Sequence, residues 1–506
     1  MERNGTYDVV IIGAGFSGTL TALCLHQKGL NVCVLEKDEH PRFAVGESST
    51  PVADMILRTL SDTYDLPWLK PFSRYGSWQK YYPEITCGLK RGFSYYKHKP
   101  NSNFTTDKSH SNELLVAASS SNELSDTNWH RAEFDAFLVN KLSDYEIPYY
   151  DRTEVISVGQ KGSNQWQIKA VQDDKQLFLT TDFFVDATGG PHFLNRFLGI
   201  NSETEEFETH SSAIFSHFEN VMPWSKYLEE NQIPTTDYPY DPDYSALHHL
   251  LDEGWLWMLR FNNGITSAGL LLNRQNNGAS QHTTPAMETW NNIIARYPSL
   301  EKIFEPATLA EEPGELYQTG PLQRRLRSIT GDGWAALPHT AGFTDPMHST
   351  GIAHTLSGVE KLVPIIAGTI GNKQDRVEKL YEYEQSIYKE LNLIDLLVAG
   401  SYRAMPHFKL FSAYTMLYFI AAITYEQERL RGEIPAHFLS AGHDDICSLV
   451  AQSYRKLTEL TSGNVTEEQI IDFIKTVKTG IAPYNSAGLM DPVSQNMYRH
   501  TAVEFK

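Results

Sequence analysis

"YDVVIIGAGFSGTLTALCLHQKGLNVCVLEKD", residues 7–38, reads as strand, glycine turn, helix and second strand. Val9–Ile12 is an unbroken apolar run, as expected of a strand covered on both faces. The turn Gly13-Ala14-Gly15-Phe16-Ser17-Gly18 follows at once. Thr19, Leu20, Leu23, Cys24 and Leu25 then recur at helical spacing until Gly29, and "NVCVLE" is the next strand, ending in Glu36. The unit is a βαβ crossover, expected to be right-handed. The first glycine permits the tight turn, the second lets a pyrophosphate approach the backbone, and the third lets helix and strand pack closely. The helix N-terminus faces an anion. Glu36, 23 residues beyond Gly13, is placed to accept hydrogen bonds from a ribose diol and disfavours a 2′-phosphate.

Two distant segments select FAD over NAD. "HRAEFDAFLV" sets Arg131 at the start of a helix, within reach of the ribityl or phosphate region. "GDGWAALPHTAGFTDPMHSTG", residues 331–351, places Asp345 and a small-residue turn ahead of another helix. Such a turn presents backbone N–H groups to a flavin ring or a small anion. "DATGG", Asp186–Gly190, is the strand end that accompanies this arrangement. No second dinucleotide fingerprint for a nicotinamide is present, so a separate flavin reductase is expected to supply the reduced cofactor.

Working outward, 506 residues imply two or three structural units. A net charge of −19 argues against nucleic acid and against anionic membrane surfaces. Cys24, Cys33, Cys87 and Cys447 lack metal-ligand spacing, so no metal is expected, and they read as reduced thiols. With no secretory leader pattern at the N-terminus, the expected compartment is the cytoplasm. "LFSAYTMLYFIAAITY", 410–425, is uncharged but shorter than the roughly 20 residues of a membrane span; it is expected to be a buried or ligand-covering helix. Residues 101–128, rich in Ser and Asn, read as a long loop or flap. The fold class is α/β. A Rossmann-like FAD-binding part (1–200) precedes an inserted mixed β-sheet substrate domain (201–312), a second FAD-binding part (313–370) and a mainly helical C-terminal region (371–506).

"CGLKRGFSYY", 87–96, is a strand-like run with a lysine beside aromatic residues. Alternation sends Arg91 to the face opposite Lys90. The residues alone leave a solvated edge lysine open. With "GAGFSG", "PRFAVGESSTP", "HRAEFDAFL", "DATGG", "GWLWMLRF" and "GFTDPMHSTGI", however, the chain resembles the flavin-dependent halogenases, closest to the phenol and pyrrole types, over roughly residues 5–365. "GESSTP" and the lysine-bearing strand are its more specific motifs.

The resemblance implies reduced FAD, O2 and chloride or bromide as co-substrates, and hypohalous acid that reaches the substrate through a tunnel. Lys90 is implied as the catalytic residue, hydrogen-bonding the oxidant or forming a haloamine, with a lowered pKa. Ser349, Thr350 and Gly351 are implied as the halide-binding turn. His348 stands where the indole-type enzymes carry a glutamate, and it is a candidate base for a phenol proton or a structural histidine. Trp255 and Trp257 keep the first part of a W-x-W-x-I-P gate against direct oxygenation; Leu259 and Arg260 replace its last pair. The cofactor-binding set is Gly13, Ala14, Gly15, Phe16, Ser17, Gly18, Glu36, Lys37, Gly46, Glu47, Ser48, Arg131, Val155, Asp345 and Ile352. The expected reaction is halogenation of a small phenolic or pyrrolic substrate, free or carrier-tethered, in secondary metabolism. A flavin hydroxylase, a flavin-dependent reductase or desaturase, and a non-catalytic flavin-binding protein are the alternatives.

Overall fold

The computed structural model describes residues 3–162, 165–204, 206–277, 284–369 and 371–501. The strand Arg3–Ile12 lies parallel to Val32–Leu35 on one side and to Lys175–Asp186 on the other. Trp334–Ala336 joins the same sheet beside Lys175–Asp186, also in parallel. The two stretches expected to share the cofactor fold therefore meet in one eight-stranded sheet. The helix Phe16–Gln27 crosses over it, and the apolar run Val9–Ile12 is buried on both faces as its continuity required.

A second sheet has nine strands. Ser211–Glu219, Thr266–Asn273, Gly254–Arg260 and Ala246–Leu250 run antiparallel in that order. Gly92–Lys97 then pairs in parallel with Ala246–Leu250. Both faces are covered, and alternate residues divide between two apolar clusters. Phe93, Tyr95, Trp255 and Leu259 pack on one face. Tyr96, Leu256 and Met258 pack on the other, with Trp224 and Trp290.

Three expectations are corrected. "CGLKRGFSYY" is two strands, not one: Cys87–Lys90 pairs with Asp126–Trp129 in a separate two-stranded sheet, and the chain breaks at Arg91 before joining the nine-stranded sheet. Residues 101–128 are not one loop, since they hold the buried strand Glu113–Ala117 and open into Asp126–Trp129. The Ser/Asn bias describes only the turns; averaged over the segment it hides the five-residue run "ELLVA". The nine-stranded sheet also extends past the 201–312 expected of it, taking strands from residues 92–117 and the short strand Met497–Tyr498.

The C-terminal region is helical, with Lys373–Ala404, Phe408–Leu430, Asp444–Thr461 and Glu467–Ile481. Phe408–Leu430 is long and apolar enough to cross a membrane by composition, but 94% of that window is buried inside the protein. It is apolar all round because it is covered all round. Gly400 lets the preceding helix lie against the Tyr414 ring, where a Cβ would overlap it.

Candidate active site

The cofactor cradle is built by backbone. Gly13 has φ +102°, and a Cβ there would sit 2.6 Å from the Ala187 carbonyl oxygen. A Cβ at Gly18 would overlap the Gly13 carbonyl oxygen. Gly15 caps the helix Phe16–Gln27 with no side-chain hydrogen bond, leaving first-turn N–H groups for an anion. The Glu36 carboxylate accepts from Ala14 N at 2.8 Å, Asp38 N at 3.1 Å and Arg42 at 3.3 Å. Burial acts to raise its pKa, but Arg42 and the two N–H groups outweigh it and hold the carboxyl ionised. These residues fit an adenine dinucleotide with a ribose diol.

Other expected cofactor residues divide into those facing the cradle and those that shape it. Arg131 clasps Asp135 through two hydrogen bonds and donates to the Val45 and Gly46 carbonyls at 3.1 and 3.0 Å. Its role here is to pin the Gly46 turn, which has φ +89°. Glu47 is buried and takes a 2.7 Å hydrogen bond from His217. Phe16 packs edge-on to Trp129. Ala14, Ser17 and Ile352 are buried, as is Val155 at a β-bulge, and Lys37 is exposed beside Asp38. The Asp345 carboxylate accepts from Ser211 Oγ at 2.6 Å, Tyr402 at 2.9 Å and Met347 N at 3.1 Å. Its side chain is thus engaged by the protein and fixes the turn that follows.

That turn leads to Ser349, left-handed at φ +51°, which caps the 19-residue helix Thr350–Gly368 without a side-chain hydrogen bond. The N–H groups of Thr350 and Gly351 open this helix uncapped, as a small anion requires. Ser349 Oγ lies 3.2 Å from Ser48 Oγ, joining residues 301 apart in sequence. Ser49, next along, accepts a hydrogen bond from the Lys90 ammonium through its carbonyl oxygen. Lys90 and the anion turn are therefore joined by three serines.

Lys90 has 0% exposure, and its nitrogen stands 4.2 Å above the Phe93 ring. Burial pushes its pKa down to about 8, against the opposing pull of Asp126 and Asp54. From Phe93 a ladder of rings crosses the sheet. Phe93 and Tyr95 are 6.4 Å apart, Tyr95 and His248 4.5 Å, His248 and Trp255 5.0 Å, and Trp255 and Trp257 6.3 Å. Tyr418 and Phe419 from the buried helix close over Phe93. Trp255 Nε1 donates to Tyr402, and Trp257 Nε1 to Ser267. Leu259 stays on the ring face, whereas Arg260 turns away and donates to the Val221 carbonyl at 3.0 Å. The replaced Ile-Pro pair thus puts no charge among the rings.

His348 stacks on Tyr418 at 4.5 Å with rings 8° apart, and burial drops its pKa to about 3. It is neutral and a feeble base in this setting. Sequence reasoning missed His248, Tyr418, Asp54 and Asp126. His248 is held between the Ser94 and Met347 carbonyls and so ties the ring ladder to the anion turn. Only the strand register, which no local motif encodes, could have found it.

The FAD dependent oxidoreductase family model matches residues 8–105. Monodechloroaminopyrrolnitrin halogenase of Pseudomonas fluorescens is 25% identical over 426 residues, 82% of this chain and 71% of its own length. Tetracycline 7-halogenase of Kitasatospora aureofaciens is 25% identical over 427 residues, 82% of this chain and 73% of its own. The crystal structure of halogenase PltM with phloroglucinol and FAD superposes with a TM-score of 0.85 at 24% identity, covering 97% of this chain and 99% of that one. The fold is the same.

Proposed function

We propose that this chain is a flavin-dependent halogenase, and that it halogenates an electron-rich phenolic or pyrrolic ring with Lys90 holding the oxidised halide. One observation carries this reading. A lysine ammonium is buried among aromatic rings and linked through Ser49, Ser48 and Ser349 to the uncapped helix start at Thr350. Bound FAD, once reduced, would supply hypohalous acid from O2 and a halide. The Gly13–Gly18 turn and Glu36 hold the dinucleotide, and the N–H groups of Thr350 and Gly351 hold the halide. The Lys90 ammonium donates a hydrogen bond to the oxidant and fixes its halogen against the substrate carbon, an advantage of position and of charge stabilisation. Trp255, beside His248, and Trp257 share the ring face of the nine-stranded sheet. They keep the ring off the cofactor and so favour halogen transfer over direct oxygenation.

The aromatic substrates in the relatives' names support the substrate class. A separate flavin reductase is the partner this reading requires, and a carrier-bound substrate is compatible with it. The test is incubation with such a reductase, NADH, O2 and a panel of phenols and pyrroles, with and without bromide. The expected product gains halogen only when bromide is present. Products that gain oxygen and never halogen would instead establish a hydroxylase.

A further inference from the structure

Lys90 faces Asp126 across the strand pair Cys87–Lys90 and Asp126–Trp129. Both are buried, at 0% and 2% exposure. Yet neither forms an ion pair among the described residues, and Asp126 Oδ2 has no hydrogen-bond partner there. A buried cation and a buried carboxyl left facing each other unpaired is costly, and such sites are kept where a third group enters. Tyr95, on the adjoining ring face, also leaves its buried hydroxyl without a partner among the described residues.

A second carboxyl backs the first. Asp54, on the helix Pro51–Thr63, neighbours Asp126 and accepts from Ser49 Oγ at 3.5 Å. Burial and the mutual repulsion of the two carboxyls outweigh the pull of Lys90 and Arg58, so the pair retains a proton. The other groups that face Asp126 are Arg58 from the same helix and Glu426 and Tyr418 from Phe408–Leu430. His248 faces Lys90 from the next strand. Burial pushes Asp126 up to about 7 and Glu426 to about 8, while Asp54 rises well above its usual range through burial and the neighbouring Asp126. Asp126 can therefore give and take a proton near neutral pH, which the weakly basic His348 cannot.

Resting on the reading of Lys90 given above, we propose that Asp126 is the acid of halogen transfer, protonating the oxygen of the hypohalous acid held at Lys90 and then accepting the proton released by the ring carbon. In the first step the ring π electrons form the carbon–halogen bond. The oxygen–halogen bond breaks with its electron pair on oxygen, and Asp126 delivers its proton there to give water. In the second step the ring carbon loses its proton to the Asp126 carboxylate and aromaticity returns. The sum is arene plus hypohalous acid to haloarene plus water, with Asp126 and Lys90 unchanged. Asp54 acts as a positioning residue, holding its proton against Asp126.

Asp126→Asn tests this. Turnover to haloarene should fall by roughly 10²–10³-fold, within the range of general-acid effects. FAD affinity and the rate of reduced-flavin oxidation should stay at wild-type values. Wild-type halogenation should decline as pH rises through about 7, and the residual activity of the variant should not. In the flavin-free protein, infrared difference spectra should show a carboxylic-acid band that titrates in that range and is missing from the variant. Asp126→Glu, which retains an acid, should restore the decline with pH; it also decides the matter if the Asn variant does not fold. Wild-type turnover and pH profile in Asp126→Asn, with Lys90→Ala inactive, would overturn this role alone. Halogenation surviving in Lys90→Ala would instead overturn the underlying reading.

Discussion

Lys90 shows what the site costs at the scale of one residue. Its pKa of about 8 lies below the usual lysine value, so the folded protein gives up this proton before the unfolded chain does. The penalty of burying the cation is therefore complete below pH 8 and fades as pH rises towards the unfolded value. Lys90→Met should raise the unfolding free energy by about 1–3 kcal/mol near pH 6.5, from the conversion of roughly 1.4 kcal/mol per pKa unit. The gain should shrink by pH 10. Denaturant titrations at the two pH values check it, and a loss of stability at pH 6.5 would contradict it. The family resemblance directs attention to Lys90. Asp126 was not legible: it lies 36 residues away in a Ser/Asn-rich segment, and only pairing with Cys87–Lys90 brings the two together.

Individual elements were legible where their signal was local. The glycine turn announced itself because its spacing is local: Gly18 answers the Gly13 carbonyl of its own βαβ unit, and Gly13 the strand end at Ala187. Gly18→Ala would force a Cβ into the Gly13 carbonyl, which cannot yield without moving the cradle. FAD affinity should drop at least about tenfold, equivalent to about 1.4 kcal/mol, as read by flavin fluorescence on titration. Unchanged affinity would mean that this turn does not carry the cofactor. The break at Arg91 was hidden because apolar alternation resumes directly beyond it. Its physical cause is the change of sheet at Gly92, where any Cβ would overlap the Val116 carbonyl oxygen. Leu259–Arg260 looked like a lesion in the tryptophan motif. The strand's alternation instead sends the arginine to Val221 and leaves the ring face apolar.

Across the whole molecule, two sheets and a helical cover converge on the stretch from Ser48 to Lys90. In the cover, Phe408–Leu430 is apolar in every direction and so shows no single face to read. The closing strand Met497–Tyr498 is too short to show a pattern, yet it pairs with Leu115 and Val116 on the open edge of the nine-stranded sheet. Removing residues from 491 onward should expose that edge, lower the melting temperature and promote aggregation, as thermal scattering would show. An unaltered melting curve would mean that the strand is dispensable. On the proposed reading, the fold brings oxidised halide to a substrate through Lys90. That reading is met most directly by counting two products at once in wild type and Lys90→Met: brominated substrate, and hypobromous acid caught by a soluble thioether scavenger. The variant is expected to lose brominated substrate by about 100-fold or more while still releasing oxidant to the scavenger at each flavin turnover. A variant that brominates its substrate at the wild-type rate would contradict it.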